Sequence, residues 1–311
     1  MPKTQGPPGN RSSKPNSGFW FSSHRLWFVV FSSTLLLFSL LFGFKVIFHR
    51  ANVLGRQCLR PIAGGFFPTS RIAMVSSSDE SKRNGFRSFE GLMAMVLPNK
   101  ESYAEKFGYD FSDCSEMIDR SRPPSWSKIL AVKAHLHNYD WIFWNDADSL
   151  ITNSNVSLEQ VLYSVIGDSE VQEWPDLILT KDATGVNAGI FFVRNSNWSQ
   201  EFLDTWWNQK EFIRKFGSTK SGDNDALKHL ISHLSPQELQ KHVRVSKMQC
   251  LFNSYPWFPS WKTAFRLITS PKTTWQGSYS EGDFMVHLAG LDDKKRWARK
   301  VLREIQMSSK G

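Results

Sequence analysis

Two carboxylates one residue apart, Asp146 and Asp148, close a run of aromatic and apolar residues in YDWIFWNDADSLITN (139–153). In an extended chain, residues i and i+2 project to the same side. The two carboxylates therefore repel each other unless a cation or a proton lies between them. A hard divalent ion with oxygen ligands resolves that repulsion. A third ligand candidate is His287 in GDFMVHLAGL (282–291), where Phe284, Met285 and Val286 read as a buried strand ending on the imidazole. Two aspartates and one histidine suit Mn²⁺, which accepts imidazole more readily than Mg²⁺ does. On residue type alone, D-x-D is equally an exposed turn, and a histidine after an apolar run is equally a core residue. What favours a metal is the strand that leads into the aspartates.

That strand carries apolar side chains on both faces: Trp141 and Phe143 on one, Ile142 and Trp144 on the other. Such a strand belongs in the middle of a parallel or mixed sheet covered by helices, and open α/β sheets bind ligands beyond the carboxyl ends of their strands. RIAMVSSS (71–78), DLILT (176–180) and VNAGIFFVRN (186–195) read as further strands. LMAMVLPNKESYAEKFG reads as a strand, a Pro-Asn turn and the opening of a helix. Helical spacing of apolar residues runs through WSKILAVKAHLHN (126–138), SNWSQEFLDTWW and DNDALKHLISHL, the second with Ser196 or Asn197 as its N-cap. The expected class is α/β, in one domain over residues 69–291 without internal repeats.

The 311 residues carry a formal charge of +9, yet no zinc-finger, RNA-recognition or basic-zipper pattern accompanies it, so no nucleic-acid partner is expected. Cys58, Cys114 and Cys250 show no C-x-x-C spacing; thiolate zinc is disfavoured, and at most one disulfide can form. Residues 1–25, rich in Pro, Gly, Ser and Asn, read as a disordered tail. LWFVVFSSTLLLFSLLFGF (26–44) follows without a charge, about 28 Å as a helix, close to the ~30 Å hydrocarbon core of a bilayer. No A-x-A cleavage site follows. The expectation is an uncleaved signal-anchor over 26–48, a stem over 49–68 and a basic helix or tail over 292–311. Lys and Arg flank both ends of the apolar run, so charge leaves orientation open. The short leading segment, and the sequons at Asn155 and Asn197 in the following domain, are compatible with a type II orientation.

Taken in order, NKESYAEKFGY, WSKILAVKAHL, WIFWNDADSLITN, LTKDATGVNAGIFFVRNSNWSQEFLDTWW, GDNDAL and VHLAG resemble glycosyltransferase family 34 over residues 71–291. These are retaining galactosyl-, mannosyl- and xylosyltransferases with a GT-A type, Rossmann-like nucleotide-sugar fold. The resemblance implies a type II Golgi membrane protein with its catalytic domain in the lumen. It implies a glycan acceptor, a UDP-galactose, GDP-mannose or UDP-xylose donor, and Mn²⁺ held by Asp146, Asp148 and His287. Asp146, Ala147 and Asp148 fall on the donor-binding motif, together with Asn187, Ala188, Gly189, His287 and Gly290. Lys128 and Lys133 are candidates to reach the diphosphate, although a solvated basic face explains them nearly as well. Asp223 and Asn224 fall where the family keeps an acid and an amide near the anomeric carbon; an Asp223 helix N-cap is the structural alternative.

After Gly290 the sequence departs from the family: LDDKKRW lacks the Cys common there, and only a shifted loop would let Lys294 or Lys295 serve as the phosphate-touching Lys of plant xylosyltransferases. The acidic-amide run around Asp223 is also shorter than in those enzymes, which favours galactose or mannose. A non-catalytic scaffold subunit in a Golgi assembly of transferases is the second reading, and homo- or hetero-oligomers are compatible with either. Trp257 and Trp261 suit an acceptor groove, a lid or simple packing. If the catalytic assignment holds, Asp223→Ala and Asn224→Ala retain donor binding and lose most transfer. Wild-type transfer rates in both variants, measured beside donor affinity, would overturn it.

Overall fold

Alternating apolar side chains divide the core into two layers on either side of a mixed sheet. The computed structural model describes residues 17–59, 70–81, 88–218 and 220–308. Of the expected tail over 1–25 and stem over 49–68, residues 1–16 and 60–68 lie outside the described residues, and a helix begins at Ser17, inside the expected tail. The elements run α1 (Ser17–His49), β1 (Ile72–Ser76), α2 (Leu92–Phe107), β2 (Asp110–Asp113), α3 (Ser127–Leu136), β3 (Trp141–Asn145), β4 (Ser149–Ile151), α4 (Leu158–Ile166), β5 (Leu177–Asp182) and β6 (Gly185–Arg194). They continue with α5 (Asn197–Trp207), α6 (Asp223–His233), α7 (Pro236–His242), β7 (Val243–Val245), α8 (Trp261–Thr269), α9 (Pro271–Gly277), β8 (Met285–His287) and α10 (Lys294–Ser308).

The main sheet has the order β2-β1-β3-β6-β5-β7. β3 is central, parallel to β1 and antiparallel to β6. Its five residues are all buried. Ile142 and Trp144 join the layer formed with α3, α5 and α6, while Trp141 and Phe143 join the layer formed with α2 and α4. Burying one such large side chain contributes about 1.5–3 kcal/mol, so the register of β3 is strongly determined. A one-residue slip would exchange the two layers and misdirect both aspartates.

The chain turns after β3 and returns as β4, which pairs with β8 so that Ser149 lies opposite His287. This pairing brings His287 to the aspartates from 139 residues further along the sequence. It is reinforced by the bond from Leu288 N–H to the Asp148 carbonyl, 2.8 Å.

One local expectation is corrected. LMAMVLPNKESYAEKF is a single helix, α2, with Pro98 inside it. Leu92, Met93, Val96, Lys100, Tyr103 and Ala104 are its buried residues, a 3.6-residue period that no strand could bury. Pro98 and Ala94, whose carbonyl loses its partner, both lie on the exposed face, where water can satisfy that oxygen. Ser196 rather than Asn197 caps α5, its hydroxyl accepting from Ser199 N–H.

The N-terminal helix is long and apolar enough to cross a membrane over His24–His49. Its last turn packs on the domain: Phe48 is buried, with its ring 4.6 Å from that of Trp257. The following residues are pinned rather than free. Arg56 forms a fully buried pair with Asp283 at 2.8 Å, and Cys58 is bonded to Cys250, leaving Cys114 free and buried.

Because Pro98 sits on the exposed face and costs one helix bond, Pro98→Ala should stabilise the fold by about 1–2 kcal/mol, the helix gain being partly offset by a more flexible unfolded chain. A denaturant midpoint unchanged or lowered in the variant would show that the ring contributes packing instead.

Candidate active site

The aspartates stand just beyond the last residue of β3, where Asn145 is fully buried. One donor atom from each of Asp146, Asp148 and His287 lies within 4.8 Å of the other two. His287 Nε2 is 3.3 Å from Asp148 Oδ1 and 3.9 Å from Asp146 Oδ2. Adjacent ligands about 2.1 Å from an octahedral ion lie about 3.0 Å apart, so small side-chain movements bring these atoms onto a common cation.

The protonation of the imidazole follows from its neighbours. Asn253 Nδ2 donates to Thr180 Oγ1 (2.8 Å) and to Asn187 Oδ1 (3.0 Å). Its Oδ1 is therefore an acceptor and faces His287 Nδ1 at 2.9 Å. Nδ1 carries a proton, and Nε2, on the far side of the ring, faces the carboxylates, the orientation a metal ligand needs. Orientation passes onward: Asn187 Nδ2 donates to the Tyr255 hydroxyl (2.9 Å), which donates to Asp182 (2.8 Å). Burial, with the Asp182 charge, raises the Tyr255 pKa well above that of a free phenol, so Tyr255 remains a donor.

The opposite oxygens of both aspartates are held by cations. Lys128 Nζ lies 3.0 Å from Asp146 Oδ1, and Trp144 Nε1 donates to the same oxygen at 2.8 Å. Lys294 pairs with Asp148 Oδ2 and donates to the Leu288 carbonyl at 2.9 Å. Each carboxylate thus keeps one oxygen for the shared point with His287. Burial opposes the Asp148 charge, but Lys294 and His287 outweigh it and hold the carboxyl well below the usual range. Lys100, fully buried, donates to Ser76 Oγ (3.0 Å), Asn145 Oδ1 (2.6 Å) and the Asp146 carbonyl (3.0 Å). Its burial pushes the ammonium pKa down to about 7.

Asp223 does not cap α6, where Gly222 holds the cap position. Its carboxylate accepts from Ser125 Oγ (2.9 Å) and Ser221 Oγ (2.8 Å) and lies 3.3 Å from Lys128 Nζ. Burial works against its charge, but Lys128 and the two hydroxyls prevail and lower its pKa. Asn224 Oδ1 accepts from the Ala188 N–H at 2.8 Å, which leaves the amide N–H₂ as the group this side chain can offer a ligand. Gly189 is required by close approach. A Cβ there would sit 2.4 Å from His287 Cε1 and 3.1 Å from Asp146 Oδ2, and the Gly189 carbonyl accepts from Asp146 N–H at 2.8 Å.

Of the remaining expected residues, Ala147 is buried beside the aspartates and lines the cleft. Gly290 takes a φ of 74° in the turn between β8 and α10. Lys133 stands apart from the rest, paired with Asp204 on the outer surface. Five residues after Lys128, it is rotated by about 140° around the helix. Trp257 packs on Phe48, and Trp261 is exposed. Lys100, Asn253 and Tyr255 escaped the sequence reading because they lie on other elements and carry no local pattern. The buried Lys100 had one faint signal, its helical spacing with Val96 and Tyr103 in α2.

A cleft of about 280 Å³ opens over these groups, lined by Ser78, Ser125, Lys128, Asp146, Lys220 and Lys294 among others. Three carboxylates, Asp146, Asp148 and Asp223, face the ammonium groups of Lys128 and Lys294, with Lys100, its charge weakened by burial, beneath the Asp146 backbone. A divalent cation added to that near-neutral set makes it positive, as an anionic ligand requires. Fold and site together place an Asp-Asp-His group able to hold a cation at the carboxyl end of the central strand of a mixed α/β sheet.

Comparison with known proteins gives the family. The chain belongs to the galactosyl transferase GMA12/MNN10 family, which matches residues 68–298. It is 30% identical over 142 residues to Glycosyltransferase 6 of Arabidopsis thaliana, covering 44% of this chain and 32% of that protein. It is 27% identical over 227 residues to an uncharacterized alpha-1,2-galactosyltransferase of Schizosaccharomyces pombe, covering 63% and 55%. Against a probable alpha-1,6-mannosyltransferase of Saccharomyces cerevisiae it is 25% identical over 161 residues, covering 43% and 41%. The chain thus spans about a third to about a half of the length of these relatives. Among solved structures, a glycosyltransferase involved in glycosylation of the major capsid of PBCV-1 is similar at 13% identity, covering 75% of this chain and 99% of that one with a TM-score of 0.47.

Asn253→Ala removes the acceptor that orients His287 and should weaken Mn²⁺ binding about 10- to 100-fold, as read by Mn²⁺ electron paramagnetic resonance titration. Gly189→Ala should abolish that binding by displacing the imidazole. Unchanged affinity in both variants would remove His287 from the ligand set.

Proposed function

We propose that this protein is a cation-dependent glycosyltransferase that moves a hexose, with retention of configuration, from a nucleotide-sugar donor to a glycan hydroxyl. The observation that carries the proposal is the convergence of Asp146 Oδ2, Asp148 Oδ1 and His287 Nε2 on one point while lysines occupy the remaining carboxylate oxygens. Family membership supports the same reading. The relatives' names, galactosyl and mannosyl, favour UDP-galactose or GDP-mannose over UDP-xylose.

Mn²⁺ held by these three residues would neutralise the donor diphosphate and stabilise the charge that develops on it as the sugar departs. The chain's own groups supply the rest. Lys128 and Lys294 stand beside the cation site as fixed positive charges. Burial opposes the Lys128 charge, but Asp146 and Asp223 outweigh it and raise its pKa, so it remains an ammonium. The pairing of Lys294 with Asp148, at the edge of the cleft, supports Lys294 as the cation that the altered sequence after Gly290 put in question. Ionised Asp223 stabilises positive charge on the sugar ring. Asn224 fixes the Ala188–Gly189 backbone and offers its amide N–H₂ to the sugar, an arrangement that suits same-face substitution better than attack by Asn224 itself.

The setting we infer is a type II Golgi membrane protein with a lumenal domain. The apolar helix is compatible with the anchor. The Cys58–Cys250 bond suits an oxidising compartment. Asn155, in the first sequon, is exposed. Because Phe48, Ala51 and Arg56 are buried against the domain, activity is best assayed on the full chain in lipid nanodiscs. With Mn²⁺ and a panel of UDP-galactose, UDP-glucose, UDP-xylose and GDP-mannose, one donor should be turned over, and Asp148→Ala should lose at least about 100-fold, the scale of one strong charge-stabilising contact. No turnover of any donor by the folded protein would favour the scaffold subunit instead.

A further inference from the structure

Helix α8 is amphipathic in an unusual sense: it has a buried face, a basic flank and a third face that is apolar and uncovered. Ser260 caps it by accepting from Thr263 N–H. Thr263 and Ala264 pack inward, each 8% exposed. At about 100° per residue, Trp261, Phe265 and Ile268 fall within about 60° of one another on a different side. They are 79%, 66% and 79% exposed. Exposed Lys262 and Arg266 follow along one edge of that strip. Single exposed apolar residues are ordinary on a protein surface. Three large ones on one helix face form a patch that marks an interaction surface.

The position of α1 identifies what covers this patch. Thr34, Leu37, Phe38 and Leu41 of α1 line one groove, about 400 Å³, with Pro259 and Trp261 at the start of α8. α1 is fixed in that orientation by its C-terminal end. Phe48 packs on Trp257, and the His49 carbonyl accepts from Glu281 N–H and Ser280 Oγ, both at 2.9 Å. Leu41 precedes the end of α1 by eight residues, about 12 Å of helix, and Thr34 by about 22 Å. A bilayer that takes in the apolar run 26–44 therefore cannot leave Trp261 in water.

We propose that α8 is a membrane-interface helix. Its Trp261–Phe265–Ile268 face lies at the headgroup–acyl boundary of the bilayer that α1 spans, and Lys262 and Arg266 reach the phospholipid phosphates. Residue types agree with position: Trp favours the interface, and basic side chains at the edge of an apolar strip extend to the headgroups. Arg266 also lines a small cavity with Asp182 and Tyr255, so docking α8 on the bilayer fixes how the site's Tyr255 side faces the membrane. This inference rests on the reading of α1 as a membrane span.

The test uses the full chain in phospholipid nanodiscs, with a nitroxide at one introduced cysteine at a time. Cys58 and Cys250 are bonded and Cys114 is buried, so labelling is selective. The positions are Phe265→Cys, Ile268→Cys, Leu36→Cys in α1, and Glu211→Cys on the exposed surface as the aqueous reference. The ratio of collision rates with oxygen to those with a water-soluble nickel chelate should be several-fold higher at 265 and 268 than at 211, and highest at 36. Values at 265 and 268 equal to that at 211, with 36 still oxygen-rich, would overturn the proposal and leave the anchor intact. Nickel access at 36 would overturn the anchor reading and this inference with it. Shielding of 265 and 268 from both relaxants would show that a protein surface, such as a second copy, covers the patch, and would also overturn it.

Discussion

Holding two carboxylates at the end of a buried apolar strand is the constraint on which the rest of the structure depends. β3 places Asp148 where water is scarce, with Asp146 half-buried beside it, and unpaired buried charge is costly. Three separate helices each send a lysine to meet that demand: Lys100 from α2, Lys128 from α3 and Lys294 from α10. β8 adds His287 by pairing with β4. The electrostatics of two aspartates thus accounts for why elements distant in sequence converge on one point.

Those cations do more than compensate. By occupying one carboxylate oxygen of each aspartate, Lys128 and Lys294 define which oxygen remains free to meet a cation. Lys128 also couples Asp146 to Asp223, so the proposed cation site and the acid proposed to face the sugar share one ammonium. On the other side, Asn253, Asn187, Tyr255 and Asp182 form a continuous hydrogen-bonded series leading away from His287. Each member fixes the orientation of the next, and the site is held by rigid elements rather than by loops alone, as preorganisation requires.

The N-terminal segment belongs to the same system. The Arg56–Asp283 pair and the Cys58–Cys250 bond attach the end of the apolar helix to the chain just before β8 and just before Asn253. Cross-linking residues 192 apart restricts the unfolded chain. It also means that the apolar helix does not swing on a free stem at the point where it meets the domain.

The sequence by itself determined the features set by local periodicity. The two-faced burial of β3, the strands β1, β5 and β6, the helical faces of α3, α5 and α6, and the D-x-D with its histidine were all legible. So was the apolar helix, because its length and lack of charge are properties of the segment alone. Tertiary structure decided what depends on two distant segments meeting. It made a helix of the residues around Pro98, because burial of one helical face outweighed a missing bond on the wet side. It drew Lys128 into the site and left Lys133 outside, a choice of helix rotation. It selected Lys294 over Lys295, joined Cys58 to Cys250, and brought in Lys100 and Asn253. Local spacing reports which face of an element is apolar; only packing decides which polar group that element then aims at a charge.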